Sequence, residues 1–143
     1  MRPLTWWHRL RRCLGMAAPS FGRRGEAAAA DYLRGLGYRI VEIGRRFRFG
    51  ELDLVAVDGE TIVFVEVKTR TSDARGTPAA AVDRGKRERL TRAALAYLKS
   101  RRLLDRRTRF DVVAVVWPNE SSPPAIEHFR GAFEAAGPRG MYS

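Results

Sequence analysis

The first regular pattern along the chain is helical. Ala29, Ala30 and Leu33 recur on one face, and Glu26 continues that face toward the amino-terminal end. Ser20 is a ready cap, the run Glu26–Ala30 has high helix propensity, and Gly37 is a stop. The spacing therefore predicts a helix from Ser20 to Arg34 or Leu36. Tyr38–Ile43 alternates apolar and polar residues, which predicts a first strand. The basic, aromatic segment 45–49 connects to that strand or extends its sheet edge. Glu51–Val57 and Thr61–Lys68 form the clearest pair, two β-patterned runs separated by the turn signal Asp58-Gly59. The second run is β-branched and aromatic on both faces, as expected of a central strand covered on both sides.

A polar loop follows over Thr69–Pro78. A second helix is expected from Ala79 or Val82 to Ser100, with Leu90, Ala93, Ala94 and Tyr97 on one stripe. Arg109–Trp117 reads as another buried strand ended by Pro118, Ala125–Arg130 as a last edge strand, and Gly131–Ala136 as a short helix. The order αβββαβ plus a short C-terminal piece places a helical crossover between two strands. This predicts an α/β fold with a mixed sheet flanked by helices. Residues 20–136 are read as a single domain, 1–19 as a basic, flexible extension and 137–143 as a disordered tail. Leu4, Trp7, Leu10 and Leu14 have amphipathic helical spacing. The extension is thus either a frayed end or a basic arm for phosphates or an anionic membrane surface.

Composition narrows the partner. The 143 residues carry 27 basic and 16 acidic side chains, a formal charge of +11, and only Lys68, Lys86 and Lys99 of the basic set are lysines. Arginine presents a planar fork suited to phosphate oxygens, and a domain this basic is expected to attract nucleic acid. The length suits one hydrophobic core. Stretches of about 18 apolar residues are absent, so no stable membrane insertion is expected. The lone Cys13 excludes an internal disulfide framework and a four-cysteine zinc site. Residues 1–20, broken by Arg9, Arg11 and Arg12, lack a secretory pattern, which points to the cytoplasm. His8, His128 and Cys13 are read as structural or exposed.

Against that basic background the hairpin is acidic at one end. A two-residue turn at Asp58-Gly59 sets Asp53 opposite Phe64 and Glu51 opposite Glu66. Positions 51, 53, 64, 66 and 68 then share one face. Asp53 and Glu66 become diagonal neighbours at strand positions roughly 5–8 Å apart, close enough to hold one hard cation. Lys68 points the same way and is placed to hold an attacking water or offset phosphate charge. Carboxylates in an apolar strand are costly unless paired or metal-bound. A strand-end ion pair between Glu66 and Lys68, with Asp53 solvated, explains the same residues. Glu26 either joins this acidic face or is an ordinary first-turn glutamate favoured by the helix dipole. Lys86 either reaches the acidic cluster or a phosphate, or snorkels at the surface. Asp111, in an apolar strand, is read as paired with an arginine rather than as an orienting group.

Four blocks then carry a family resemblance. They are Gly22-Arg23-Arg24-Gly25-Glu26-Ala27-Ala28, Phe49-Gly50-Glu51-Leu52-Asp53-Leu54-Val55-Ala56, Val63-Phe64-Val65-Glu66-Val67-Lys68-Thr69-Arg70 and Arg109-Phe110-Asp111-Val112-Val113. Over residues 20–133 the chain resembles the YraN family, similar to Holliday-junction resolvases and the restriction-endonuclease-like PD-(D/E)XK nucleases. The resemblance implies a restriction-endonuclease-like core and Mg²⁺- or Mn²⁺-dependent hydrolysis of DNA phosphodiesters, on branched or structured substrates. It makes Asp53 and Glu66 metal ligands, directly or through water, Lys68 the catalytic lysine, and Glu26 the helix glutamate of the resolvase branch, which also joins the metal directly or through water. Leu52 stands where the motif usually has proline, and Gly44 where the family often has asparagine. Arg45, Arg46, Arg48, Arg70 and Lys86 are the expected nucleic-acid contacts, and a homodimer is expected from the pairing of resolvases. A catalytically silent nucleic-acid-binding accessory protein is the alternative, and a basic module for RNA or an anionic membrane is a third reading.

Overall fold

A computed structural model of the chain describes residues 20–48, 50–71 and 82–136. The extension at 1–19, the tail at 137–143, most of the 69–78 loop and the helix start proposed at Ala79 lie outside the described residues. Within them the element order is α1 (Phe21–Gly35), β1 (Arg39–Phe47), β2 (Gly50–Asp58), β3 (Thr61–Thr71), α2 (Arg84–Ser100), β4 (Thr108–Trp117) and β5 (Ala125–Phe133). The strands form one mixed sheet in sequential order, antiparallel except for the parallel pair β3–β4 that α2 bridges. This is the expected α/β class, and the element order is consistent with a nuclease-like core. Among the described residues no helix is long and apolar enough to cross a membrane.

Each face of the sheet carries its own apolar layer. Ala29, Ala30 and Leu33 of α1 pack with Leu54, Ala56, Val63, Val65, Val113 and Val115. Leu90, Ala93, Ala94 and Tyr97 of α2 pack with Val55, Ile62, Phe64, Phe110 and Val112. The central strand β3 is therefore buried on both faces, as its composition predicted. Ser20 caps α1 by accepting from the Arg23 amide at 3.3 Å, and Gly37 takes φ +94 beyond its end. Helix α2 starts later than expected, at Arg84, because Asp83 is its cap and accepts from the Lys86 amide at 2.9 Å.

The basic segment 45–47 extends β1, one of the two readings of its pattern, and that strand has an irregularity between Ile40 and Glu42. Two further expectations are corrected. The β2–β3 turn is Gly59-Glu60, not Asp58-Gly59, since Asp58 pairs with Thr61. Gly59 supplies the positive φ (+61) at the first turn position, the place glycine takes in a II′ turn. Asp58 is held in the strand by Arg109 and Arg130, each 3.2 Å from its Oδ2. The shift changes pairing by two residues, so side chains keep their faces, and Asp53 and Glu66 become the residues just beyond the last pair, Leu54↔Val65, on the two strands. Finally, no helix forms at 131–136, because β5 runs on to Phe133. Gly131 adopts φ +58 and donates its amide to Asp111 Oδ1 at 2.9 Å, and Phe133 stacks on Phe110 with centroids 4.9 Å apart.

A candidate metal centre at a strand fork

The β2–β3 ladder ends at Leu54↔Val65. Beyond it, β3 continues alongside β4 alone as far as Thr71, and β2 stays paired with β1. The fork between β2 and β3 is closed by a side chain: Asp53 Oδ2 accepts from the Val67 amide at 2.9 Å, in place of a ladder bond. The acidic residues gather at this fork.

Glu26 arrives from α1 because glycine lets the helix come close. A Cβ at the buried Gly25 would overlap the Thr69 hydroxyl of β3. On the β1 side, Gly44 has φ +62, and a Cβ there would sit 3.3 Å from Glu26 Oε2. Both glycines thus serve the placement of one carboxylate. Glu26, Glu51 and Asp53 each offer an oxygen within 4.8 Å of the other two. Oxygens that bind one Mg²⁺ or Ca²⁺ at about 2.0–2.6 Å lie no more than about 5 Å apart, so the donor set fits a hard divalent ion. Burial is the first cause that raises the Glu26 pKa, with Glu51 and Glu66 adding to it against Arg23. Asp53 is pushed up to about 8, first by burial and then by repulsion from Glu66, against the Val67 hydrogen bond. A cation seated there would relieve this crowding of like charge.

Glu66 is buried beside Asp53 but stands outside that trio, engaged by two ammoniums. Its Oε1 lies 2.5 Å from Lys86 Nζ and 3.5 Å from Lys68 Nζ. Lys68 has a lowered pKa, through burial and the neighbouring Lys86, with Glu66 opposing. Lys86 has a raised one: burial opposes its charge, but the contacts with Glu66 and Lys68 outweigh it. A lysine shifted down is suited to exchange a proton with water, and one shifted up remains a cation. Glu51, Asp53, Glu66, Lys86, Arg89 and Leu90 line a cavity of about 220 Å³. That is below the roughly 300–1,000 Å³ of small-molecule pockets, and its lining is mostly charged rather than apolar.

The structure thus brings Glu26, Asp53, Glu66 and Lys68 to one place. It adds Glu51 as the third close carboxylate; the signal was its position beside Asp53 on the acidic end of the hairpin. Lys86 reaches the acidic cluster rather than snorkelling. Arg45 and Arg46 lie at the end of β1, with Arg46 exposed and in register with Glu51. Arg45 stands over the Phe47 ring at 5.3 Å and 3.5 Å from Glu42. Arg48 follows β1 in the turn, and Arg70 lies on β3 beyond the fork. Asp111 is no part of this site. It is fully buried, pairs with Arg109 as expected (2.8 Å), and also bonds His128 Nε2 at 2.8 Å and the Gly131 amide. Burial pushes its pKa up, but Arg109, the Gly131 amide and His128 together outweigh that and hold it low.

Residues 25–115, which include every member of the cluster, match the model of the family described as "Uncharacterised protein family UPF0102". A UPF0102 protein of Geotalea uraniireducens is 49% identical over 117 residues, 82% of this chain and 91% of that one. One from Moorella thermoacetica is 51% identical over 112 residues, 78% of this chain and 93% of that one. One from Rhodopirellula baltica is 48% identical over 124 residues, 85% of this chain and 74% of that one.

Proposed function

The chain belongs to the UPF0102 family, the YraN-like family its motifs resemble, and we propose that it is a divalent-metal-dependent nuclease that hydrolyses DNA phosphodiester bonds, with branched or structured DNA as its substrate. The observation that carries this reading is the convergence of Glu26, Glu51 and Asp53 to within 4.8 Å beside Glu66 and its two lysines. Carboxylate donors of this kind suit Mg²⁺ or Mn²⁺.

Glu26, Glu51 and Asp53 would hold the ion, with the adjacent Glu66 joining them directly or through water. When bound, the ion would supply Lewis acidity toward the phosphate and the attacking water. The protein's own part is proton handling and positioning. Lys68 accepts the proton of the attacking water or orients that water. The water oxygen bonds to phosphorus while the bond to the ester oxygen breaks, and the departing oxygen takes up a proton from solvent. Arg45, Arg46, Arg48 and Arg70 hold the flanking backbone phosphates, and this charge lends affinity without base specificity.

Linear, nicked, flapped and four-way DNA incubated with Mg²⁺ or Mn²⁺ tests the reading. Cutting is expected with the wild-type chain and lost in Glu66→Ala and Asp53→Asn, with DNA binding retained. DNA binding that is unaffected by these substitutions and never accompanied by cutting would support the accessory-protein reading instead.

A further inference from the structure

The hairpin carries most of the acidic motif, but of the two ammoniums at Glu66 one comes from helix α2. Lys86 is the third residue of α2, and its backbone is fixed by the Asp83 cap. The start of the helix is anchored in turn: Val82 is fully buried, and its carbonyl accepts from Arg87 Nε at 2.9 Å. From this rigid base the Lys86 side chain crosses to β3 and sets Nζ 2.5 Å from Glu66 Oε1. Glu66 is only 6% exposed, so this ammonium replaces much of the water its charge would otherwise hold. Lys68 shares the same oxygen at the longer distance of 3.5 Å and is the less exposed of the two, 18% against 32%. Both stems are flexible, so the surroundings make the difference: the Lys86 head is the nearer to Glu66 and the more open to solvent, and it can leave while both backbones stay in place.

We propose that Lys86 is a placeholder cation: it neutralises Glu66 in the metal-free protein, competes with the divalent ion for that carboxylate, and yields it when the ion binds. This positioning role rests on the metal-centre reading above. It explains why a buried glutamate at a strand fork is tolerated before metal arrives, and why a helix outside the motif hairpin sends a lysine into the cavity. It also makes metal uptake weaker than the carboxylate count alone would give, because the ion must displace a positive charge.

Calorimetric titration of the full chain with Mn²⁺, without DNA, tests it. Wild type is compared with Lys86→Met, Lys86→Gln, Lys86→Arg and Arg89→Met; Arg89 lines the same cavity. Lys86→Met and Lys86→Gln are expected to tighten Mn²⁺ binding on the order of tenfold, since both the competing group and its repulsion are removed. Arg89→Met is expected to change it by less than about twofold, as a screened bystander charge. Lys86→Arg should stay near wild type. Equal or weaker binding in both neutral Lys86 variants, or equal tightening in Arg89→Met, overturns the placeholder role while leaving the metal centre intact. No Mn²⁺ uptake by wild type or any variant at millimolar concentration overturns the metal centre itself, and the placeholder with it.

Discussion

The carboxylate of Asp53 and the backbone amide of Val67 are joined by a 2.9 Å hydrogen bond at the point where β2 and β3 cease to pair. Burial, and after it repulsion from the adjacent Glu66, raises the Asp53 pKa to about 8 against the opposing pull of this bond. The metal-free folded chain therefore holds a proton on Asp53 more tightly than the unfolded chain, whose value is near 3.8. The stabilisation from this group is fully present below pH 3.8, falls as pH rises, and is gone above about pH 8. Urea midpoints taken without metal at pH 6 and pH 9 should drop toward the alkaline side. The drop should shrink in Asp53→Asn, which keeps an acceptor for Val67 but cannot ionise. It should also shrink when Mg²⁺ takes the proton's place. An equal drop in Asp53→Asn would assign it to other groups.

Asp111 illustrates the opposite use of a buried acid. It is fully buried and satisfied by Arg109, His128 and Gly131, and Arg109 reaches on to Asp58 and to Tyr38 Oη at 2.9 Å. The network ties β4 to β5 and to the β2–β3 turn. Neutralising this buried anion leaves the Arg109 guanidinium with only Asp58 and Tyr38 as partners and takes the carboxylate away from His128. Asp111→Asn should cost about 3–5 kcal/mol in chemical denaturation, by analogy with broken buried ion pairs. Mn²⁺ affinity of the folded fraction should not change, since Asp111 shares no contact with the acidic trio.

Gly25 sets the distance between α1 and β3. In Gly25→Ala the new methyl meets Thr69, so the helix must lift from the sheet and carry Glu26 with it. A loss of about 1–3 kcal/mol is expected, typical of overpacking, with weaker Mn²⁺ binding in calorimetry. Adding Thr69→Ala removes the overlapping hydroxyl and should restore part of both. A single variant as stable and as metal-avid as wild type would show that the close approach is dispensable.

The arginines at the end of β1 are predicted to act on affinity rather than on chemistry. Arg45→Gln and Arg46→Gln together should weaken binding to every DNA structure alike. Each lost phosphate contact should make the dependence of log K on log salt shallower by about 0.9. Cleavage at saturating DNA should be retained. Fluorescence anisotropy across a salt series measures this, and an unchanged slope would remove these residues from the interface.

Much of this arrangement is legible in the residues themselves, because local periodicity decides it. The α1 stripe of Ala29, Ala30 and Leu33 and the two-faced apolar content of β3 follow from spacing alone. The co-facial placement of Asp53 and Glu66 survives even a misplaced turn, since a two-residue change of pairing preserves parity. What escapes the sequence depends on distant partners. Both Asp58-Gly59 and Gly59-Glu60 put a glycine in the turn; Arg109 and Arg130, far along the chain, hold Asp58 in the strand. The run of β5 through Gly131 depends on Asp111, twenty residues earlier. The reach of Lys86 to Glu66 depends on the Asp83 cap, which sets the phase of α2. The space that Gly44 leaves for Glu26 depends on a helix and a strand meeting.

If the fork between β2 and β3 seats a divalent cation, anomalous diffraction from crystals of the wild-type chain grown or soaked with Mn²⁺ detects it without reference to substrate or activity. A manganese peak is expected at the fork, coordinated by Asp53 with Glu26 and Glu51, and absent from Asp53→Asn. An ordered fork with no peak at saturating Mn²⁺, or a peak held only by residues elsewhere, would contradict this seating of the ion.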